Sequence, residues 1–282
     1  MGTMTSIYDR KQKKIISVKH FGGKALGIIY RSRILTWIVT CSFVSFLYGL
    51  YQGSFLSRGK IQKFILENQI SMEKYEKKEY SSFTDFFIRK LKKISFDSHP
   101  KHLTSPVEGY LLCYPVSSDL SFSVKNHLYT LDELLEGEDV SSYQRGMVFV
   151  FRLALSNYHR FHYIDDGKRI KRKVIPGRLH TMSDSSKNYK IFKENYREYS
   201  ILKTNNLGEM IYMEVGALLV GKIHNHDLDS FQRGEEKGYF LPGGSTVILI
   251  MNHVQVDSDI LKYSQKGIET KVDVGERIGV LK

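Results

Sequence analysis

The chain has 282 residues, a formal net charge of +12 and two cysteines, Cys41 and Cys113. That length can hold one sizeable core, or a main domain with a helical appendage. The 16 Phe and 18 Tyr exclude a disordered chain, and two cysteines neither staple a fold nor build a zinc ribbon, which makes a reducing compartment the default.

The charge is concentrated at the start. Residues 1–33 carry eight Lys and Arg against Asp9 alone, a pattern that attracts nucleic acid or an anionic membrane surface. From Ile34 to Ser57 no residue is charged, and the stretch includes Leu35, Trp37, Ile38, Phe43, Phe46, Leu47 and Leu50. Ser42, Ser45, Gly49 and Gln52 recur at helical spacing and form a polar stripe. Arg31 and Arg33 before it, with Arg58 and Lys60 after it, give little charge asymmetry to orient a span. The first reading is an interfacial amphipathic element; a true span and a buried core helix are the other two. The stretch starts too far from residue 1 for a cleavable signal peptide. Met1–Ser6 fits a myristoylation pattern formally and reads as chance.

Residues 58–93 are expected to be helical, with Ile61, Phe64 and Ile65 on one face and a capping-box-like start at Ser82-Phe83-Thr84-Asp85. Phe96–Leu103 reads as a linker. Beyond it come short strands, expected at Tyr110–Tyr114, Leu120–Val124, Met147–Leu153, Met210–Val215, Leu218–Ile223 and Thr246–Met251. Gly234-Glu235 and Gly275-Glu276 open a repeated pattern that reads as two β-hairpins of the kind found in lipoyl-like sandwiches. The fold class is therefore α+β: a basic, helical, membrane-facing region over 1–95, then a β-rich, sandwich-like catalytic body over 96–282.

Three clusters could carry chemistry. Gly243-Gly244-Ser245-Thr246-Val247 puts two glycines before a serine at the mouth of a strand, where the backbone can approach the hydroxyl with no Cβ in the way. The geometry suits attack of the serine on the preceding carbonyl, although such a turn is also an ordinary entry to a buried strand. Tyr158-His159-Arg160-Phe161-His162 holds two candidate proton carriers, or a plain surface turn. Ser105-Pro106-Val107-Glu108-Gly109 places a carboxylate where it could orient an imidazole, or merely expose a turn glutamate.

In their order, together with Phe83–Lys92, Asn195–Ser200 and Met213–Ala217, these clusters resemble the phosphatidylserine decarboxylase family over roughly residues 45–282. The resemblance implies a proenzyme in which the Ser245 Oγ attacks the Gly244 carbonyl. Ester formation, elimination and hydrolysis would then leave a pyruvoyl group at position 245 and release ammonia. The products would be a β chain of residues 1–244 and an α chain of 38 residues, 245–282. It implies His162 as the base for Ser245, which needs one as a weak nucleophile, and His159 as the group near the substrate. Catalysis would run through a Schiff base between the pyruvoyl ketone and phosphatidylserine, yielding phosphatidylethanolamine and CO2. The partners implied are that lipid, an anionic membrane surface and the chain's own two fragments; self-association into a homodimer stays open. The location implied is peripheral, on the cytoplasmic face of the cell membrane. The family pattern has aspartate where this chain has Glu108, which adds a methylene to the acid.

Two other classes compete. A non-processing lipid-binding relative would keep the fold and lose self-cleavage. A metal hydrolase would use His159, His162, His224, His226 and Asp227 but would leave the Gly-Gly-Ser-Thr motif without a task. Nucleic-acid binding is disfavoured because the basic cluster adjoins an apolar segment.

Overall fold

The computed structural model describes residues 4–282 except 20–22, 77–78, 125–126, 182–185, 187, 219–222 and 244. Gly244, and most of the strand expected at Leu218–Ile223, lie outside the described residues. Ser245–Met251 is buried at every position, as a strand covered on both faces must be, and its run Val247–Met251 is correspondingly apolar throughout. It lies at the centre of a ten-stranded sheet. Glu209–Gly216 pairs with it on one side and Met147–Leu153 on the other, both antiparallel, so that Ser245 faces Gly216 and Leu153. Outward from Glu209–Gly216 come Arg197–Thr204, Gly167–Ile175 and Ser230–Phe231. Outward from Met147–Leu153 come Gly109–Pro115, Glu269–Val272, Met4–Asp9 and Lys14–Lys19.

Alternation along these strands sends side chains into two cores. Phe149, Phe151, Tyr212, Val247 and Leu249 enter one; Val148, Val150, Ile211, Ile248 and Ile250 enter the other. The α+β class is as expected, with most of the expected strands in place.

The expectation of a helical region over 1–95 is corrected at its start. Met4–Asp9 and Lys14–Lys19 form an antiparallel hairpin, and Met4–Asp9 also pairs in parallel with Glu269–Val272. Its β-branched residues Ile7, Ile15, Ile16 and Val18 suit a pleated surface, and Tyr8 stacks on Tyr263 at 3.9 Å. Part of the basic cluster is therefore used inside the fold. Arg10 bonds Asp257 and Asp259 at 2.9 Å and Glu276 at 2.8 Å.

Helices begin at Gly23–Ile29. The uncharged stretch forms Arg33–Val39 and Ser42–Gly53, which meet at a bend of 48°. A 3-10 turn, Phe55–Lys60, and the helix Ile61–Glu67 follow. Phe83–Phe87 starts where expected, with the Ser82 Oγ accepting from the Asp85 N–H at 3.2 Å, but ends at Ile88. Phe83, Phe86 and Phe87 pack with Ile61, Phe64 and Leu155, tying the helices to the end of Met147–Leu153.

The Gly-Glu repeat is real but is not a pair of hairpins. Gly234 and Gly275 adopt φ 82° and 77°, a region natural to glycine, and both press against Ser95–Phe96. The strands after them, Glu236–Phe240 and Arg277–Leu281, join separate three-stranded sheets. Tyr163 exchanges backbone bonds with Gly234 and Glu235 as Ser105 does with Gly275 and Glu276. This pseudo-symmetry brings the acid segment beside the histidine segment: the His162 N–H donates to the Pro106 carbonyl at 3.0 Å.

Arg10 holds the N-terminal hairpin against three carboxylates, and charge-assisted bonds of this kind contribute on the order of 1.5–3 kcal/mol. Arg10→Gln should lower the unfolding midpoint and speed amide exchange across Met4–Lys19 more than in the central sheet, read by hydrogen–deuterium exchange.

Candidate active site

Ser245 opens the central strand with its side chain fully buried. Gly243, two residues earlier, has φ 150°, which a side chain would resist. The Ser245 Oγ has no hydrogen-bond partner among the described residues. A buried hydroxyl left this way costs about 1–3 kcal/mol, so its retention points to a function. Thr246, its neighbour, is also buried.

Across the sheet Leu153 pairs with Ser245, and the chain then turns sharply through Ala154–Asn157. The turn is set by Asn157, whose Oδ1 accepts from the Ala154 N–H at 2.8 Å and whose own N–H donates to the Ala154 carbonyl at 2.9 Å. Asn157 then reaches in two further directions. Its Nδ2 donates to Glu108 Oε1 at 2.9 Å, and its carbonyl accepts from His159 Nδ1 at 2.8 Å. Arg89, fully buried, braces the same turn by donating to the carbonyls of Ser156 and Asn157.

The partners of His159 decide its tautomer. A carbonyl can only accept, so Nδ1 carries the proton and Nε2 holds the lone pair. That Nε2 is buried and has no partner among the described residues. Phe87 covers the ring at a centroid distance of 3.9 Å. Burial, with Arg89 adding repulsion, pushes the pKa down to about 3, so the imidazole is neutral at pH 7.

His162 is held differently. Its Nδ1 donates to the Gly234 carbonyl at 3.0 Å, and its Nε2 lies 3.2 Å from the Tyr158 hydroxyl, which donates to it. Burial pushes its pKa down to about 4. Both ring nitrogens are thus committed, whereas His159 keeps one free.

Glu108 meets neither imidazole directly. Its carboxylate bonds Asn157 and, at 3.0 Å, Lys74. The Glu108 carboxylate and the His159 ring are instead joined through Asn157, which bonds both. Sequence reasoning passed over Asn157, Arg89 and Tyr158; an asparagine two residues before a histidine was the available signal, and asparagines are ordinary in turns. Gly244, the other side of the expected cleavage site, lies outside the described residues.

The alternative metal set is not assembled. Among the described residues no group of three or more His, Cys, Asp or Glu side chains could hold a metal ion. His224 stacks on Tyr239, His226 bonds Glu236 at 2.8 Å, and Asp227 pairs with Arg169. Behind the histidine strand lies a fully buried pair instead. Lys237 bonds Glu214 Oε1 at 2.7 Å and Asn225 at 2.6 Å, with its ammonium over the Phe161 and Tyr212 rings. Burial raises the Glu214 carboxyl and lowers the Lys237 ammonium.

Both buried imidazoles titrate well below the ordinary value of 6.5. The unfolded chain therefore binds more protons than the folded one between pH 6.5 and about 4, so stability falls as pH drops through that window. In Ser245→Ala, which removes the Oγ and keeps both imidazoles, the unfolding midpoint should decline from pH 6.5 to 4.5. In Ser245→Ala/His162→Gln that decline should be shallower, read by calorimetry.

The phosphatidylserine decarboxylase family model matches residues 83–280. The chain is 45% identical to phosphatidylserine decarboxylase proenzyme 2 of Clostridium acetobutylicum, over 97% of this chain and 98% of that one. It is 39% identical to the phosphatidylserine decarboxylase proenzyme of Clostridium tetani, over 98% of each chain. It is 36% identical to that of Fusobacterium nucleatum, over 96% of each. The match spans the serine, histidine and acid segments alike, and the chain belongs to the phosphatidylserine decarboxylase family.

Proposed function

We propose that the chain is a proenzyme that cuts itself between Gly244 and Ser245, and that it then decarboxylates phosphatidylserine to phosphatidylethanolamine. The observation that carries this reading is two buried, unpartnered atoms, Ser245 Oγ at the start of its strand and His159 Nε2 just beyond the turn that ends the neighbouring strand. One is a hydroxyl needing a base and the other a neutral imidazole lone pair lacking a proton, the two halves of an activated nucleophile. They are not bonded to each other in this structure, and cleavage requires them to close.

The free Nε2 supports giving the base role to His159, and the role of His162 to holding the site. Tyr158 and Gly234 lock the His162 ring, so it fixes the strand Arg160–His162 that follows His159. The serine's position fits a pyruvoyl group: residue 245 is buried, and the histidine turn follows the strand end paired with it. Such a group supplies a ketone that takes the substrate amine and accepts electrons as CO2 departs. The chain's own residues exclude water with Phe87, and the bare Nε2 of the imidazole held by Asn157 can take the proton that the substrate amine sheds and return it to the carbon that loses CO2.

The membrane role rests on a helix turned inside out. In Ser42–Gly53 the polar positions Ser45 and Gln52 are 0% and 3% exposed, while Phe43 and Leu50 are 64% and 58% exposed. Water-facing helices show the opposite arrangement. Ile34, Trp37, Phe46, Phe55 and Leu56 extend the same exposed surface, far more apolar side chain than scattered residues explain. Among the described residues no single helix is long and apolar enough to span a bilayer, although the bent pair Arg33–Val39 and Phe43–Gly53 passes on length and composition. We place these helices in the interface of an anionic membrane, peripherally, with Arg31, Arg33 and Arg58 toward the headgroups.

Intact-mass measurement of the purified protein should show fragments of residues 1–244 and 245–282. Ser245→Ala should abolish cleavage. His159→Ala should slow it by at least about 100-fold, the scale of a lost general base, and His162→Gln by less. Wild-type chain left whole, cleaving only as Glu108→Asp, would favour the non-processing relative. Phe46→Glu/Leu50→Glu should cut binding to phosphatidylserine-containing vesicles at least about tenfold, read by flotation, while cleavage proceeds.

A further inference from the structure

Beside the serine strand, under the inner face of Ser42–Gly53, lies a cavity of about 230 Å³. Tyr48 and Gln52 wall it from that helix, Lys60 and Phe64 from the next turn and helix, and Pro242 and Gly243 close the end nearest Ser245. Drug-sized pockets start at about 300 Å³, so this one suits a headgroup fragment rather than a whole lipid.

Its polar equipment is specific. The Lys60 ammonium sits 4.4 Å from the centre of the Tyr51 ring, 5.2 Å from Phe83 and 5.6 Å from Tyr48. Among the described residues it has no carboxylate partner, whereas Lys63, on the same rim, is paired with Glu67 at 3.8 Å. Aromatic rings partly desolvate Lys60 without neutralising it, which leaves a cation ready for an anion. Gln52 supplies the second group. Its side chain is buried, and its amide oxygen has no partner among the described residues. Gln52 also lines the cavity, and its amide NH2 is a donor that an anion there can use.

The opposite face of the same helix is the apolar surface of Phe43, Phe46, Leu47 and Leu50. A lipid whose chains lie against that surface can pass its headgroup inward to the cavity. Building on the functional reading above, we propose that the cavity is a phosphodiester subsite. Lys60 and the Gln52 amide hold the phosphate oxygens, and the amine is thereby directed past Gly243 to residue 245. The phosphate thus measures the reach of the headgroup, selecting a diester over free serine.

The test uses cleaved, full-length enzyme and monomeric dihexanoyl phosphatidylserine, with inorganic phosphate as a competing probe. Lys60→Gln should raise KM at least about tenfold, as expected when one charge-assisted bond is lost, with most of the effect in KM and little in kcat. Lys60→Arg should restore most of the affinity. Inorganic phosphate should compete weakly with the lipid in the wild type and still more weakly in Lys60→Gln. An unchanged KM in Lys60→Gln overturns the subsite. So does an equal fall of kcat in the Gln and Arg variants, which marks a packing role. Phosphate binding as tightly as the lipid would identify a simple ion site and also overturn it. A cleaved wild type that releases no CO2 from the lipid overturns the functional reading itself, a result distinct from any of these.

Discussion

The turn at Asn157 is the constraint on which the site depends. One side chain and one carbonyl tie together four things: the end of the strand beside Ser245, the Glu108 carboxylate, the His159 ring and the Arg89 guanidinium. The bond to the carbonyl fixes the proton on Nδ1, and burial keeps the ring neutral, so the lone pair is set on Nε2 at physiological pH. Arg89 contributes twice, bracing the turn and adding the positive charge that keeps His159 unprotonated. The helical region is coupled to this centre because Phe87, from the helix before Arg89, covers the imidazole. The N-terminal helices and the Asn157 turn therefore share one packed cluster.

The surroundings are rigid where chemistry needs rigidity. Ser245 is the first residue of a strand paired along its whole length on both sides, so its backbone has little freedom, while Gly243 occupies a φ that other residues avoid. The buried Lys237–Glu214 pair joins Glu236–Phe240, the strand beside the histidine strand, to Glu209–Gly216 of the large sheet. Pairs of this kind seldom add net stability over apolar packing, and Lys237 lies at the bulge where Glu236–Phe240 shifts register against the histidine strand.

Much of this was legible in the sequence, for identifiable reasons. Val247–Met251 and Val148–Phe151 are apolar runs too short for helices and flanked by glycine or polar turns, so their strands were readable from local pattern alone. The Gly-Ser-Thr and histidine segments stood out through residue type and spacing. What was not legible depended on distant partners. The hairpin Met4–Lys19 is β structure because Glu269–Val272 lies beside it, which no local window contains. The Gly-Glu repeat was visible, yet the strands around each glycine pair elsewhere. The polar stripe of Ser42–Gly53 was plain, but which side meets water is a tertiary fact. The contrast between His159 and His162 rests on Tyr158 and Gly234, and the separation of Glu108 from both rings rests on Asn157; each is a hydrogen-bond choice that residue identity leaves open.

The site turns on the state of one ring: His159 neutral at pH 7, protonated on Nδ1 and bare on Nε2. Nitrogen-15 NMR of histidine-labelled Ser245→Ala protein reads it directly. The His159 ring should show a protonated-type Nδ1 signal and an unprotonated-type Nε2 signal, unchanged from pH 8 down to pH 5. An imidazolium pattern at pH 7, or the proton found on Nε2, would contradict it.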